Sequence, residues 1–337
     1  MNSLFAKSLL AMCLVATCGL HVASAEDIFA ANKALGRGVN LGNALEAPKE
    51  GEWGMKIEAE YFPLIKQAGF DHVRLPVKWT SHASKTEPFV VEPAFFERID
   101  QLLKQAEDAK LKVVLNHHHF EELDKNPKGE LPRAIAIWKQ IATRYKDRGS
   151  FLVFELMNEP HEELNKDNAW TEIIPPLLAA VRESNPTRPV IIGPPFWNGM
   201  WALSKFKLPD DPNLIVTVHY YNPFKFTHQG AHWVKDSAPW IGTKWTGDEK
   251  ELGEITKEFD ATAKWAKENN RPIYLGEFGA FSKADDESRA RWTKAITGEA
   301  EKRGWSWAYW EFGAGFGVYD REKKAWHESL KDGLLKH

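Results

Sequence analysis

Cysteine is almost missing from this chain of 337 residues, which has only Cys13 and Cys18. Both precede a predicted export cleavage site. The mature chain therefore has no disulfide framework and no thiolate chemistry, and it must be stable through packing alone. Charge of one sign is also missing. The formal net charge is −3 and acidic and basic residues are interleaved, so there is no electrostatic case for nucleic acid. No glycine-rich phosphate turn follows any predicted strand. There is no P-loop, no Gly-x-Ser-x-Gly elbow and no His-Glu-x-x-His, which removes the nucleotide, serine-hydrolase and zinc-protease motifs from consideration. No Ser/Thr/Pro-rich linker, low-complexity tract or internal repeat occurs, so one domain is expected, without an appended module.

What is present begins with an export signal. Lys7 supplies the positive n-region, Ser8 to Leu20 the apolar run, and Ala23-Ser24-Ala25 the small-residue cleavage site. Cleavage after Ala25 gives a signal peptide of 1–25 and a mature domain of 26–337, secreted or periplasmic. The run is short and mixed for a membrane span. Val15-Ala16-Thr17-Cys18 is a loose lipoprotein match that would anchor the chain through Cys18; Thr17 ranks it below plain cleavage.

Beyond Ala25, short apolar runs alternate with helical patterns. Strands are expected at 38–42, 72–76, 112–117, 152–158, 190–193, 214–220, 272–277 and 305–310. Helices are expected at 58–68, 94–109, 132–145, 169–183, 202–206, 252–268, 287–302 and 328–335. The runs are nearly continuous, as in parallel strands covered on both faces. Eight such units in one domain predict an α/β fold, a (β/α)8 TIM barrel. A doubly wound open sheet is the alternative, disfavoured by the missing phosphate turn. The chain has 15 tryptophans. Indole faces can stack on pyranose rings or simply fill a core; core filling is expected for Trp138, Trp265 and Trp292. The aromatic segment 222–250, with Phe224, Phe226, His228, Trp233, Trp240 and Trp245, is long for a βα loop and reads as one wall of a cleft.

Active sites of such barrels lie at the C-terminal strand ends, and polar residues collect there. Strand 1 gives Asn40 and, just after it, Asn43 and Glu46; Arg74 lies in strand 2, and His117-His118-His119 ends strand 3. Asn158-Glu159 ends strand 4, Phe196-Trp197-Asn198 follows strand 5, His219-Tyr220-Tyr221 ends strand 6, Glu277 strand 7 and Trp310-Glu311 strand 8. Carboxylates closing buried apolar runs are costly to desolvate and poorly explained by packing. Glu159 and Glu277 together suggest an acid and a nucleophile for glycosidic bond cleavage. Each feature alone has a bland reading, as a strand stop or a structural ion pair; it is their joint occurrence that points to a site. The three histidines invite a metal reading, but adjacent strand residues point to opposite faces and cannot easily chelate one ion. Hydrogen bonding to sugar hydroxyls or a carboxylate is the better assignment, and no cofactor or metal is expected.

The ordered set Arg74, His118-His119, Asn158-Glu159-Pro160, His219-x-Tyr221, Gly276-Glu277-Phe278-Gly279 and Trp310 resembles glycoside hydrolase family 5 over essentially the whole mature chain. Within it, 36–48, 219–229 and 305–319 are most similar to the Thermotoga-type bacterial endoglucanases. The resemblance implies an endo-β-1,4-glucanase, or cellulase, acting with retention. It implies Glu159 as acid/base, Glu277 as nucleophile and Arg74 beside the nucleophile. It further implies Asn158 at the substrate 2-hydroxyl, His219 and Tyr221 around the carboxylates, and Trp310 as the floor of the −1 subsite. His118 and His119 match the paired histidines after strand 3; Trp197 and His228 resemble outer sugar contacts, and Asn40 and Arg74 join the substrate-binding set. His117, preceding the expected pair, departs from the pattern. The expected partner is a β-glucan polysaccharide, with no nucleic acid, no membrane after signal removal, and a monomer. β-Mannan or xyloglucan as substrate, a non-catalytic carbohydrate-binding barrel, and a metal-dependent barrel hydrolase are the alternatives.

Overall fold

The computed structural model describes residues 27–336; the predicted signal, with both cysteines, lies outside them. Eight parallel strands close into a barrel in sequence order. They are β1 (Arg37–Asn40), β2 (His72–Leu75), β3 (Lys112–Asn116), β4 (Leu152–Glu155), β5 (Val190–Ile192), β6 (Leu214–Tyr220), β7 (Ile273–Phe278) and β8 (Ser306–Tyr309). β1 pairs with both β2 and β8, which closes the ring. This is the (β/α)8 barrel that the alternation of runs predicts.

Side chains alternate across each strand, and the apolar residues divide accordingly. Val39, Val73, Leu115, Phe154, Ile192, Val216 and Leu275 point outward into the large core under the helices. Val114, Val153, Ile191, Ile215, Tyr274 and Ala308 point inward and form a second, smaller core. The short helix Ile28–Lys33, not anticipated from the sequence, contributes Ile28 and Ala31 to that inner core. Asn32 ties it to the strand N-termini, donating to the Ile273 carbonyl (2.9 Å) and accepting from Ser306 (2.8 Å). It therefore covers the face opposite the C-terminal strand ends.

The outer helices fall close to expectation: Tyr61–Ala68, Pro93–Asp108, Pro127–Tyr145, Ala169–Arg182, Glu249–Glu268, Asp286–Lys302 and Glu328–Leu335. The helix after β4 runs on an αL N-cap residue, Asn168. Between β5 and β6 only a 3-10 turn, Met200–Lys205, takes the place of a helix. Trp138 and Trp292 are fully buried and Trp265 packs against the core, as expected. In segment 222–250, Phe226 and Trp245 also join the core. Phe224, His228 and Trp233 line the cleft, so only part of the segment is a wall.

Two strand ends differ from expectation in ways that matter for the site. β4 was expected through Asn158 but ends at Glu155, because the chain must leave the sheet to turn Glu159 inward; Glu159 sits in the left-handed region at φ 46°. β7 instead runs past Glu277 to Phe278. Its register with β6 shifts between Val218 and His219, so that His219 faces Glu277. By strict alternation from Tyr274 and Gly276, Glu277 would point toward the helices. The irregularity re-aims it, as bulges near functional sites commonly do. Gly276 permits the close approach: a Cβ there would lie 2.5 Å from Thr217 Oγ1 and 3.1 Å from His219 Nε2.

Candidate active site

A cleft of about 1210 Å³ opens at the C-terminal strand ends, and both Glu159 and Glu277 line it. One oxygen of each carboxylate and a ring nitrogen of His219 lie within 4.8 Å of one another. The two glutamates thus face each other across a gap the width of a sugar's anomeric centre.

Beneath them lies a buried ionic network centred on Arg74, which has no exposed surface. Its Nη1 donates to Glu277 Oε1 at 2.7 Å and to Asn40 Oδ1 at 2.8 Å. Its Nε and Nη2 grip both oxygens of Glu155 at 2.7 Å each, and Nη2 also donates to Asn158 Oδ1 at 2.7 Å. Burial alone would weaken the cation. Glu155 and Glu277 outweigh it and hold the guanidinium well above its ordinary value. Asn40 is in turn fixed by donating to the carbonyls of Gly276, Ala308 and Tyr309. Arg74 and Asn40 therefore stand behind the carboxylates and are not among the cleft-lining residues. Asn40 and Arg74, both expected among substrate contacts, are instead fully buried supports: Arg74 holds Glu277, and Asn40 holds Arg74.

Glu277 also accepts from the Tyr221 hydroxyl at 3.0 Å, and His118 Nε2 lies 4.0 Å from it. Burial raises its pKa, opposed by His219 and Arg74. Glu159 has fewer donors. Its Oε1 meets His219 Nδ1 at 2.7 Å, and burial pushes its pKa up to about 7 against the pull of Arg74 and His161. With a guanidinium and a phenol both donating to Glu277, the last proton held by the pair rests on Glu159. Burial lowers His219 to about 4, leaving it neutral near pH 7.

The histidine run lies just past the end of β3, and its three rings part company. His118 stacks on Trp310 with ring centroids 5.4 Å apart and planes 7° apart, held by Asn116 at 3.1 Å. His119 lines the cleft edge-on to Trp53. His117 turns away and stacks on Phe120 at 4.9 Å, so it belongs to the packing and not to the cleft. Trp197, Trp310, His228, Asn158, His219 and Tyr221 all line the cleft. Trp197 is 52 % exposed and stacks on His161. The cleft also gathers Trp233, from the aromatic segment expected to form a wall, and Trp53 and Trp201, exposed rings beyond the strand ends that strand-end logic misses.

Among the described residues, Glu159, His219 and Glu277 are the one grouping with metal-ligand spacing. Its donor atoms are already engaged with one another and with Arg74 and Tyr221. A fixed guanidinium 2.7 Å from Glu277 opposes a second cation there.

The profile described as Cellulase (glycosyl hydrolase family 5) matches residues 33–315. The chain belongs to glycosyl hydrolase family 5. Among family relatives, Endoglucanase H of Acetivibrio thermocellus is 36% identical over 92% of this chain and 34% of its own length. Endoglucanase A of Ruminococcus albus is 28% identical over 89% of this chain and 90% of its own. The chain spans about a third of the length of Endoglucanase H and of Cellulase/esterase CelE of the same organism (34% and 37%). Structures of Thermotoga maritima Cel5A, solved with mannotriose and with cellobiose, share 48% identity and superpose with a TM-score of 0.90 over 92% of this chain and 100% of theirs.

Proposed function

We propose that this family 5 barrel is an endo-acting, retaining glycoside hydrolase that cleaves β-1,4-glucosidic bonds in cellulose or related β-glucans. The observation that carries the reading is the carboxylate pair: oxygens within 4.8 Å across an open, aromatic-lined cleft. Retaining enzymes hold their carboxyl groups about 5–5.5 Å apart, whereas inverting ones leave about 6.5–9.5 Å for a water.

Glu277, kept ionised by Arg74 and Tyr221, attacks the anomeric carbon as the glycosidic C–O bond breaks. Glu159 gives its proton to the departing oxygen, and a glycosyl-enzyme ester forms. Water then attacks the same carbon, loses a proton to Glu159 and releases Glu277. Asn158, held by Arg74, binds the substrate 2-hydroxyl. Trp310, stiffened by His118, forms the sugar floor, and Trp197 and His228 contact outer sugars. E277A should abolish turnover. E159A should lose far more activity on polymer than on activated aryl glycosides, whose leaving groups need little acid help. Equal losses on both substrates would remove Glu159 from the acid role.

A second polymer has a specific observation behind it. The similar Cel5A was solved with mannotriose as well as cellobiose, which supports β-mannan as a further substrate. Product analysis on carboxymethyl-cellulose, glucomannan and xyloglucan separates these readings. We also infer export with cleavage after Ala25; N-terminal sequencing of extracellular protein that begins elsewhere than Glu26 refutes it.

A further inference from the structure

We propose that Asn198 is a positioning residue whose side-chain oxygen locks His219 in the tautomer protonated at Nε2, so that bare Nδ1 receives the Oε1–H of protonated Glu159. The inference rests on reading Glu159 as the acid.

Asn198 is completely buried. It closes a run of three left-handed residues without glycine, Phe196, Trp197 and Asn198, at φ 60°, 56° and 55°. Such a backbone is costly and persists only where its surroundings hold it. Asn165 Oδ1 accepts from Phe196 N–H (2.7 Å) and the Pro160 carbonyl from Trp197 N–H (3.2 Å). The Asn198 carbonyl accepts from His219 N–H at 2.9 Å. Gly193 leaves room for the amide, since a Cβ there would come within 2.3 Å of it.

The neighbours decide which way the amide faces. One end is 2.9 Å from the Pro194 carbonyl, which can only accept; the other is 3.3 Å from the Glu159 backbone N–H, which can only donate. The NH2 therefore faces Pro194 and the oxygen faces Glu159. That same end lies 3.3 Å from His219 Nε2, so Nε2 carries the hydrogen. A neutral imidazole has one N–H, and Nδ1, 2.7 Å from Glu159 Oε1, is left as an acceptor. An acceptor at that position favours the neutral carboxyl over the carboxylate.

The reverse tautomer would aim an N–H at Glu159 and toward Glu277 Oε2, 3.7 Å away, and would favour ionisation of both. The other charged or titratable groups around this point are Arg74 and Glu155 below, Tyr221 on Glu277, His118, whose Nε2 lies 4.0 Å from Glu277, and His161, whose Nδ1 meets the Glu159 carbonyl at 2.7 Å. Among the described residues none of these groups hydrogen-bonds Nε2; Asn198 is its partner there.

The test is the pH profile of kcat/KM for N198A and N198D on carboxymethyl-cellulose. In N198A the ring is free to move its proton to Nδ1, which stabilises the Glu159 carboxylate. The alkaline limb should fall by about one pH unit, the size of one hydrogen bond to a charged group. In N198D an acceptor oxygen again faces Nε2, and the limb should return to the wild-type position or above it. A uniform loss at every pH with the limb unmoved in N198A overturns the proposal. Should N198A fail to fold, 15N NMR of histidine-labelled wild-type protein decides, with the His219 signal identified by its loss in H219N. A protonated Nε2 and bare Nδ1 support the proposal, and the reverse overturns it. Failure of the underlying enzymatic reading is distinct: E159A and E277A would then keep full turnover.

Discussion

Replacing Glu155 by glutamine tests the network beneath the catalytic pair. Glu155 and Arg74 are both fully enclosed, and both carboxylate oxygens meet guanidinium nitrogens at 2.7 Å. For unit charges about 4 Å apart at an effective dielectric of about 20, the attraction is about 4 kcal/mol. Glutamine keeps the shape but cancels that charge and turns an NH2 toward an N–H donor. Breaking one partner of a buried pair costs about 3–5 kcal/mol, in agreement with the Coulomb figure. Urea unfolding of E155Q should show a loss of that size. There is a second readout of fixed sign. The Glu155 charge raises the pKa of Glu159, so its removal should move the alkaline limb of kcat/KM to lower pH. A stability loss under about 1 kcal/mol, with the limb in place, would falsify the view that Arg74 needs two counter-charges.

The wild-type profile should itself fall as pH rises through about 7, where Glu159 loses its proton; a plateau persisting to pH 9 contradicts its acid role. Burial raises Glu46 from 4.5 to about 8, against hydrogen bonds from the Asn43 and Ala44 N–H groups. The folded state thus binds that proton more tightly, and stability drains away as pH climbs from 4.5 to about 8. E46Q cannot ionise, so its melting temperature relative to wild type should rise between pH 5 and 9; a constant difference refutes this. W310A should lower kcat/KM by about 5- to 150-fold, taking sugar–indole stacking at about 1–3 kcal/mol by analogy with bases. Unchanged kinetics would remove Trp310 from the sugar floor.

The barrel was legible because its strands are short, β-branched and apolar throughout, and because chemistry collects at one end of them. Glu277, His219 and Tyr221 follow from that rule. Glu155 did not, although it sits two residues beyond Val153 and so on the same inward side. A charge within an apolar run needs a buried partner, and Arg74 was the available one. The role of Asn40 went astray for the converse reason: a strand-end position says nothing about depth within the barrel. His117 could not be settled by counting, since only the packed Phe120 shows which way it turns. Trp53 and Trp201 escaped because they lie in connecting segments away from the strand ends, where no periodicity marks them.

The helix Ile28–Lys33 stoppers the base of the barrel, so the polypeptide enters from the side farthest from the scissile bond. Any tether joined ahead of Asp27 would therefore hang from the rear of the enzyme. The cleft mouth with Glu159 and Glu277 points the opposite way, so anything fastened behind Asp27 leaves that mouth clear.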